Sequence, residues 1–239
     1  MNASMDHDEL RHRFATLTTA HLADACLRAE VPVRCAPASL QAVESGSRLA
    51  GRACPTRHVG SVDIFLEALE AAAPGDVLVV DNAGRLDEAC VGDLVALEAR
   101  GAGLEGIVIW GLHRDTVDIR AIGLPLFSLG AIPTGPQRLD DRPADALDAA
   151  TVGEWTVTRE DVVLGDDDGV LFAPAIRAGE LFTSAEKIRD TERRQAERMR
   201  GGESLRSQVR FDSYLARRQE TPSLTFRGHL RSVGGAIEE

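Results

Sequence analysis

Residues 75–81 read Gly-Asp-Val-Leu-Val-Val-Asp, and residues 106–110 read Gly-Ile-Val-Ile-Trp. Each segment contains a short, uninterrupted apolar run, which is typical of a strand that is buried on both faces of a parallel sheet. A helix is predicted between them, over residues 92–100. Because strand, helix and strand follow one another at this spacing, the sequence predicts an α/β fold with parallel pairing.

The alternation of helix and strand continues on both sides of this unit. Residues 61–73 are predicted to form a helix with Ser61 as its N-cap, and residues 116–122 a shorter one. Residues 124–127 form a third apolar strand. Residues 34–57 contain two prolines and two glycines, so they are interpreted as loops and short strands.

The two ends of the chain are predicted to be helical. Helices are expected within residues 9–30, with Thr18 or Thr19 as a cap, and a long helix over residues 175–200. Residues 133–150 are interpreted as an exposed connection. Three further strands are predicted at residues 156–158, 162–164 and 170–172, with Asp168-Gly169 as a hairpin turn between the last two.

Composition excludes several functional classes. The formal net charge is −11, from 27 Lys and Arg against 38 Asp and Glu. Such a chain repels phosphate backbones, so no nucleic-acid partner is expected. No apolar run is long enough for a membrane span, so no membrane partner is expected either. The four cysteines form no C-x-x-C pair, which favours reduced thiols in a cytoplasmic protein without a zinc site.

Two glycine- or aspartate-rich motifs carry no predicted function. The glycines at positions 101, 103 and 106 spell G-x-G-x-x-G, but a helix precedes them and a strand follows. A dinucleotide-binding fingerprint requires the reverse order. Residues 166–169, Asp-Asp-Asp-Gly, lack the further ligands of a calcium-binding EF-hand loop, so a solvated turn is expected. His113 alone is more often a packing residue than a catalyst.

Chemically informative residues lie between positions 92 and 118. A helix begins at Gly92, Asp93, Leu94 and Val95, and free backbone N–H groups at a helix start bind anions. Arg114 offers a planar fork for a carboxylate, and Asp115 offers oxygen ligands for Mg²⁺. Asp93 could hold a metal-bound water. Taken alone, these residues favour a surface Arg-Asp pair and an acidic residue at a helix start over a binding site.

The spacing of these residues resembles that of a known family. Gly92-Asp93 is followed by residues 94–113, twenty in number, then by Arg114-Asp115 and, after two residues, by Asp118. This pattern is similar to that of the RraA-like family, which includes class II pyruvate aldolases acting on 4-hydroxy-4-methyl-2-oxoglutarate. The similarity extends over residues 15–200. It includes the two apolar segments, 75–81 and 106–109, and the Asp-rich hairpin at 165–170.

The resemblance implies a fold and a site. A single α/β/β/α domain is expected over residues 1–200, with a C-terminal extension over residues 201–239 that packs on a neighbouring subunit of a homotrimer or homohexamer. Backbone amides of residues 92–95 would bind the carboxylate and keto group of a 2-oxo acid, and Arg114 would bind the same substrate. Asp115 would anchor Mg²⁺, Mn²⁺ or another divalent metal, partly through water. Glu203 is the candidate for an acid contributed by the neighbouring subunit.

The function implied is that of a metal-dependent carbon–carbon lyase that releases pyruvate, with oxaloacetate decarboxylation as a related activity. Arg114 would stabilise the enolate, and Asp93 would polarise a metal-bound water that takes the proton of the 4-hydroxyl group. Two alternatives stay open. Some family members bind and inhibit a ribonuclease, and another enzyme of the same fold could act on a different hydroxy or sugar acid. Ala83, Arg85 and the tail from residue 211 depart from the aldolase pattern, which leaves the substrate undefined.

Overall fold

The computed structural model describes residues 5–233. Within this range the strands are β1 (Arg34–Cys35), β2 (Gln41–Ala42), β3 (Leu49–Arg57), β4 (Val77–Asp81), β5 (Ala89–Val91), β6 (Gly106–Trp110), β7 (Leu112–His113), β8 (Leu126–Ser128), β9 (Ala149–Val152), β10 (Trp155–Thr158), β11 (Asp161–Asp166) and β12 (Gly169–Pro174). The helices are α1 (His7–Phe14), α2 (Thr19–Arg28), α3 (Asp63–Ala71), α4 (Asp93–Gly101), α5 (Thr116–Ile122), α6 (Ala178–Arg200), α7 (Leu205–Gln208), α8 (Phe211–Glu220) and α9 (Phe226–Val233).

Eight strands form one sheet in the order β1-β12-β11-β3-β4-β6-β8-β2. β3, β4, β6 and β8 pair in parallel, and α3, α4 and α5 connect them. The apolar run of β4 is explained by its two buried faces. Val77 and Val79 pack inside the curl of the sheet, whereas Leu78 and Val80 pack against the connecting helices. The predicted parallel α/β unit is therefore confirmed.

The other half of the sheet is antiparallel. β3 pairs with β11, β11 with β12, and β12 with β1. Helices α1, α2 and α6 cover the outer face of this half, and the predicted apolar face of α6 is buried against it. The concave inner face of the sheet encloses a third apolar cluster that includes Phe127, Phe172 and residues of the β9–β10 hairpin. Helices thus lie outside two facing halves of a curled sheet, which is the expected α/β/β/α arrangement.

The prediction for residues 34–57 was wrong in one respect, because β3 is a nine-residue strand near the middle of the sheet. Its glycine and proline lower the strand propensity of the sequence, but the tertiary structure requires the glycine and accommodates the proline. A Cβ atom on Gly51 would lie 2.1 Å from the carbonyl oxygen of Gly75. Pro55 lies beyond Arg52, the last residue of β3 that pairs with β11, so the amide that proline lacks is not needed there.

The predicted N-cap of α3 and the predicted β11–β12 turn are each displaced by one residue in the structure. The N-cap of α3 is Val62 rather than Ser61. The β11–β12 turn consists of residues 167–168, because Asp166 pairs with Gly169, whose φ of +123° suits glycine. Thr18 was confirmed as the cap of α2: its hydroxyl accepts a hydrogen bond from the His21 amide.

After α6, the tail folds into three short helices. The aromatic rings of Phe211, Tyr214, Phe226 and His229 contact one another between α8 and α9. The division of the chain at residue 200 and the packing of the tail on a neighbouring subunit stay predictions. Residues 1–4 and 234–239, the outer ends of the two predicted regions, lie outside the described residues. Between residues 5 and 233, no helix is both long and apolar enough to span a membrane.

Candidate active site

The start of helix α4 carries the first part of the candidate site. Its N-cap is Gly92, which has no side chain to cap the helix. Its backbone is extended, with φ −125° and ψ −168°. Two amides of the first turn instead meet carboxylates. The Leu94 amide donates to Oδ1 of Asp93 at 2.8 Å, and the Asp93 amide donates to Oδ2 of Asp115 at 3.4 Å. The helix start therefore binds negative charge, as the partial positive charge of a helix N-terminus favours.

Short parallel strands bring Arg114 and Asp115 beside this helix start. β5 pairs with β7, and the Arg114 amide donates to the carbonyl oxygen of Val91 at 3.0 Å. Asp115 then adopts the left-handed conformation, with φ 60° and ψ 40°, and turns the chain into α5. Aspartate tolerates this conformation better than most residues, although it is strained there. As a result Arg114 Nε lies 3.3 Å from Asp115 Oδ2, and both side chains remain partly exposed, at 49% and 34%.

Glycine is required at position 92 because the side chains of Asp115 and Arg114 lie close to its backbone. A Cβ atom at this position would lie 2.4 Å from Asp115 Oδ2 and 3.2 Å from Arg114 Nε. Any side chain would therefore push the carboxylate away from the helix start. The Gly-Asp pair of the sequence pattern thus has a steric reason, since glycine lets Asp115 reach the first amides of α4.

A cleft of about 350 Å³ opens beside these residues. Its polar side is formed by Arg114 and the start of α4, and its other side carries Val62 and His58. Gly92, Asp93, Leu94, Val95 and Arg114, the residues predicted to bind substrate, all line it. The full lining is His58, Gly60, Val62, residues 89–95, Arg114 and Pro136.

The remaining predicted residues lie outside the cleft lining. Asp115 lies at its edge, behind Gly92 and Arg114. Asp118 is exposed in the first turn of α5. Glu203 lies in the turn between α6 and α7, 4.0 Å from Arg198, and does not line the cleft of its own chain within residues 5–233. Its contribution to a neighbouring subunit stays a prediction.

His113 has a structural role in placing Arg114. Its ring is buried, with Nδ1 2.8 Å from the hydroxyl of Ser128 and Nε2 2.9 Å from the hydroxyl of Thr116. Burial lowers the pKa of His113, with Arg120 acting in the same direction. A neutral ring that bonds through both nitrogens connects β7, β8 and α5, and so fixes the turn that presents the adjacent Arg114. The expectation that His113 is a packing residue agrees with these contacts.

A cluster of four polar side chains, His58, Asn82, Glu88 and Arg138, was not predicted. Arg138 donates to Glu88 Oε1 at 3.1 Å and to Asn82 Oδ1 at 3.0 Å, and His58 Nδ1 lies 2.9 Å from the same Asn82 oxygen. Glu88 is buried. A signal for two members existed, because His58 and Asn82 directly follow β3 and β4 at the carboxyl edge of the sheet. No sequence signal pointed to Arg138, because it lies in residues 133–150, the connection interpreted as exposed.

Asp115 suits a divalent cation that keeps most of its water. Among the described residues, no three His, Cys, Asp or Glu side chains converge as a metal site. A closed zinc site is therefore not formed by this part of the chain. Mg²⁺, by contrast, is commonly held by one or two carboxylates and several waters. The second oxygen of Asp115, Oδ1, has no recorded side-chain partner within residues 5–233, so it is available for such an ion.

Comparison with known proteins places this site in a family context. The RraA-like family, described as Aldolase/RraA, matches residues 19–172. An uncharacterized protein from Pseudomonas syringae pv. tomato has the same fold, with a TM-score of 0.71 and 25% sequence identity, over 85% of this chain and 97% of that one.

Two further solved structures carry the family name. RraAS2 from Streptomyces coelicolor, an unusual member of the RNase ES inhibitor RraA protein family, matches with a TM-score of 0.66 and 25% identity, over 80% of this chain and 98% of its own. The RNA-processing inhibitor RraA from Thermus thermophilis matches with a TM-score of 0.56 and 29% identity, over 65% of this chain and 92% of its own. The matched segment contains both halves of the sheet and the whole Gly92–Asp115 arrangement, and the chain belongs to the RraA-like family.

Proposed function

We propose that this protein is a divalent-metal-dependent lyase that cleaves a 4-hydroxy-2-oxo acid, such as 4-hydroxy-4-methyl-2-oxoglutarate, and releases pyruvate. The family includes both aldolases and ribonuclease inhibitors, so membership does not choose between them. The observation that supports catalysis is that Arg114 and the start of α4 line one cleft, with the Asp115 carboxylate 3.3 Å from Arg114 Nε beside it. A guanidinium and two carboxylates, Asp93 and Asp115, at a small concave site are groups that acid–base and metal-assisted reactions use.

Arg114 and the amides of residues 92–95 bind the substrate in this proposal. The guanidinium and the positive end of α4 match the carboxylate and keto oxygens of a 2-oxo acid. Both groups also face the oxygen on which negative charge develops when the bond breaks, so they stabilise the transition state more than the ground state. Mg²⁺, Mn²⁺ or another divalent ion held by Asp115 would supply Lewis-acid stabilisation of the same charge.

Asp93 polarises the water that takes the proton in this proposal. Its Oδ1 atom accepts the Leu94 amide, which leaves Oδ2 to accept a hydrogen bond from a water molecule at the cleft. In the proposed reaction that water takes the proton of the 4-hydroxyl group and passes one of its own to Asp93. The C4–O bond becomes a carbonyl, the C3–C4 bond breaks, and its electron pair forms the enolate of pyruvate. The same water then protonates the enolate at C3 and recovers a proton from Asp93. Oxaloacetate would give the same enolate with CO₂ as the leaving group.

Exposed apolar side chains on α4 and α5 support the proposed homotrimer or homohexamer. Leu94 and Val117 are 75% and 77% exposed, and Leu97 on the next turn of α4 is also exposed. Large apolar side chains grouped on a surface mark association sites more often than isolated ones do. Contact between subunits at this surface would close the cleft and would allow an acid such as Glu203 to come from a neighbour.

The decisive assay measures pyruvate by coupling its release to NADH oxidation. 4-Hydroxy-4-methyl-2-oxoglutarate and oxaloacetate are each offered with Mg²⁺, with Mn²⁺ and with a chelator. We expect turnover with either metal and none with chelator, and activity should return when Mg²⁺ is added in excess. Turnover that persists unchanged in chelator would contradict the assigned role of Asp115. A lack of turnover on both substrates would contradict the lyase assignment.

A second candidate function is inhibition of a ribonuclease. It is favoured by two solved relatives, one described as an unusual member of the RNase ES inhibitor RraA protein family and the other as an RNA-processing inhibitor. The test is the rate at which a purified ribonuclease of that type cleaves RNA with increasing amounts of this protein. Inhibition that survives in Arg114→Ala would assign it to a surface outside the cleft. A third candidate is a reaction of a different hydroxy or sugar acid. It is tested by following the consumption of each acid in a substrate panel, because the products need not include pyruvate.

A further inference from the structure

His58 places an imidazole ring on the wall of the cleft, yet the proposed reaction does not use it. It follows β3 directly, and its amide donates to the carbonyl oxygen of Asp81 at 2.9 Å. The ring stacks on Phe65, with centroids 5.2 Å apart and planes 7° from parallel. It is 4% exposed and lines the same cleft as Arg114 and Gly92. A buried ring held on one face by an aromatic side chain has a fixed orientation.

The contacts of Asn82 determine which ring nitrogen carries the proton. Arg138 donates from its guanidinium to one side-chain atom of Asn82 at 3.0 Å. Because a guanidinium can only donate, that atom must be the amide oxygen. His58 Nδ1 lies 2.9 Å from this same oxygen, so Nδ1 must carry a hydrogen. In a neutral imidazole the other nitrogen, Nε2, is then a hydrogen-bond acceptor.

The surroundings of His58 keep the ring neutral. Burial lowers its pKa, and the positive charge of Arg138 acts in the same direction. The Asn82 hydrogen bond and the carboxylates of Glu88 and Asp140 oppose this, but both carboxylates are themselves paired with Arg138. The net direction is downward, so the ring is uncharged at pH 7.

We propose that, in the substrate complex before bond cleavage, Nε2 of His58 accepts a hydrogen bond from the hydroxyl group of the substrate, and that His58 thereby selects hydroxylated 2-oxo acids. The hydroxyl hydrogen then turns from Nε2 to the water at Asp93 for the proton transfer. This inference rests on the proposed function, since it assigns the hydroxyl-recognition element of the same cleft. Within residues 5–233 the structure records no protein partner for Nε2. Its neighbours on that wall, Gly60 and Val62, offer no polar side chain. An unpaired acceptor beside apolar groups gains most from a substrate that brings a donor.

Two variants separate the ring's two contacts. His58→Asn keeps a donor near the position of Nδ1, and hence the bond to Asn82, but removes the acceptor that faces the cleft. His58→Gln places an amide oxygen near the position of Nε2 and gives up the donor to Asn82. The two substrates form a matched pair as well, because 4-hydroxy-4-methyl-2-oxoglutarate has a 4-hydroxyl group and oxaloacetate lacks one.

We expect His58→Asn to lower kcat/KM for the hydroxylated substrate by about tenfold to hundredfold, the cost of one lost hydrogen bond to a buried group. Oxaloacetate decarboxylation should change by less than about threefold, and His58→Gln should recover part of the loss on the hydroxylated substrate. Equal losses on both substrates would overturn the proposal, because they would show that His58 only supports the cleft wall.

The tautomer is measured independently on the whole protein. Nitrogen-15 NMR of histidine-labelled protein, with the His58 signals assigned by their loss in His58→Asn, should show a hydrogen on Nδ1 and none on Nε2 at pH 7. A hydrogen on Nε2 would overturn the proposal.

A wild-type protein that turns over neither substrate would overturn the proposed function without deciding the role of His58. Calorimetric binding of malate and succinate, which differ by one hydroxyl group, then decides it. A preference for malate that His58→Asn abolishes supports the proposal, and equal binding by the wild type overturns it.

Discussion

Carboxylates in the antiparallel half of the sheet are saturated with hydrogen bonds, whereas those at the cleft are not. Buried Asp166 accepts bonds from the amide and hydroxyl of Thr19, at 2.8 and 2.6 Å, and from the Asp168 amide at 3.1 Å. Asp115 at the cleft is partly exposed, and within residues 5–233 its side chain meets only Arg114 and one amide at 3.4 Å. Aspartate thus stabilises the fold in the antiparallel half, whereas at the cleft it keeps an oxygen that can bind a ligand.

The helix starts of the two halves differ in the same way. α2 in the antiparallel half is capped by Thr18, whose hydroxyl bonds to the His21 amide, while His21 Nδ1 accepts the Thr18 amide in return. α4 at the cleft begins at a glycine. The start of α4 differs from that of α2 because its amides are bonded to Asp93 and Asp115, carboxylates beside the cleft, instead of to an N-cap hydroxyl.

The largest effect is expected from Arg114→Ala, which removes the group that binds the substrate carboxylate and stabilises the enolate. We expect kcat/KM for pyruvate release to fall by about a thousandfold, since a charge-stabilising group in an active site contributes on the order of 10²–10³ or more. The melting temperature should stay close to that of the wild type. Arg120→Ala, which removes an exposed arginine from α5, six residues after Arg114, is the control and should retain activity. Near-normal turnover in Arg114→Ala would refute the assignment.

Asp166→Ala should have the opposite effects, a loss of stability without a loss of activity. It leaves the buried amide and hydroxyl of Thr19 without an acceptor, which costs about 3 kcal/mol of the free energy of unfolding. Urea denaturation measures this loss, and kcat of the folded variant should be unchanged. Exposed Asp168 on the same hairpin is the control, because Asp168→Ala removes no recorded side-chain bond within the described residues. Equal stability of the two variants would show that saturation of Asp166 contributes little.

Gly92→Ala tests the close approach at the cleft. The added Cβ would lie 2.4 Å from Asp115 Oδ2, so the carboxylate must rotate away from the start of α4. Since the carboxylate is at the end of a partly exposed side chain, we expect little change in stability. Activity should fall by about thirtyfold at low Mg²⁺ and should recover in part at high Mg²⁺. A variant with unchanged metal dependence would show that the position of Asp115 is not set by Gly92.

The smallest effect is expected from Thr18→Ala at the start of α2. Loss of the capping hydroxyl should reduce the free energy of unfolding by about 1 kcal/mol. Thr18→Ser keeps the hydroxyl and should restore most of it, and neither variant should alter turnover at the distant cleft. The denaturation midpoints of the three proteins measure this series. A Thr18→Ala protein as stable as the wild type would show that the cap is redundant with the His21 contact.

The sequence predicted the elements whose signals are local. Apolar runs located β4 and β6, and the resemblance directed attention to Gly92, Arg114 and Asp115, which the fold brings together through β5 and β7. β3 was missed because it contains a proline and a glycine, and the reason for the glycine is the close approach of Gly75, 24 residues later in the chain.

The cluster behind the cleft was missed for a related reason. Arg138 lies 80 residues from His58 and 56 from Asn82, and no local pattern links such positions. Nor can spacing alone reveal that an arginine fixes the orientation of an asparagine amide, and through it the tautomer of a histidine. Such information appears only once the side chains are in place.

The two-sided pairing of β3 also bears on the order in which the protein folds. On one side its partner begins only 24 residues later, where Ala53 pairs with Val77. On the other side Arg52 pairs with Val162, 110 residues later. Contacts that are close in sequence form sooner, because less chain entropy is lost in closing the shorter loop. We therefore expect the parallel half, with the elements that carry Arg114 and Asp115, to assemble first and to serve as the template on which the antiparallel half closes.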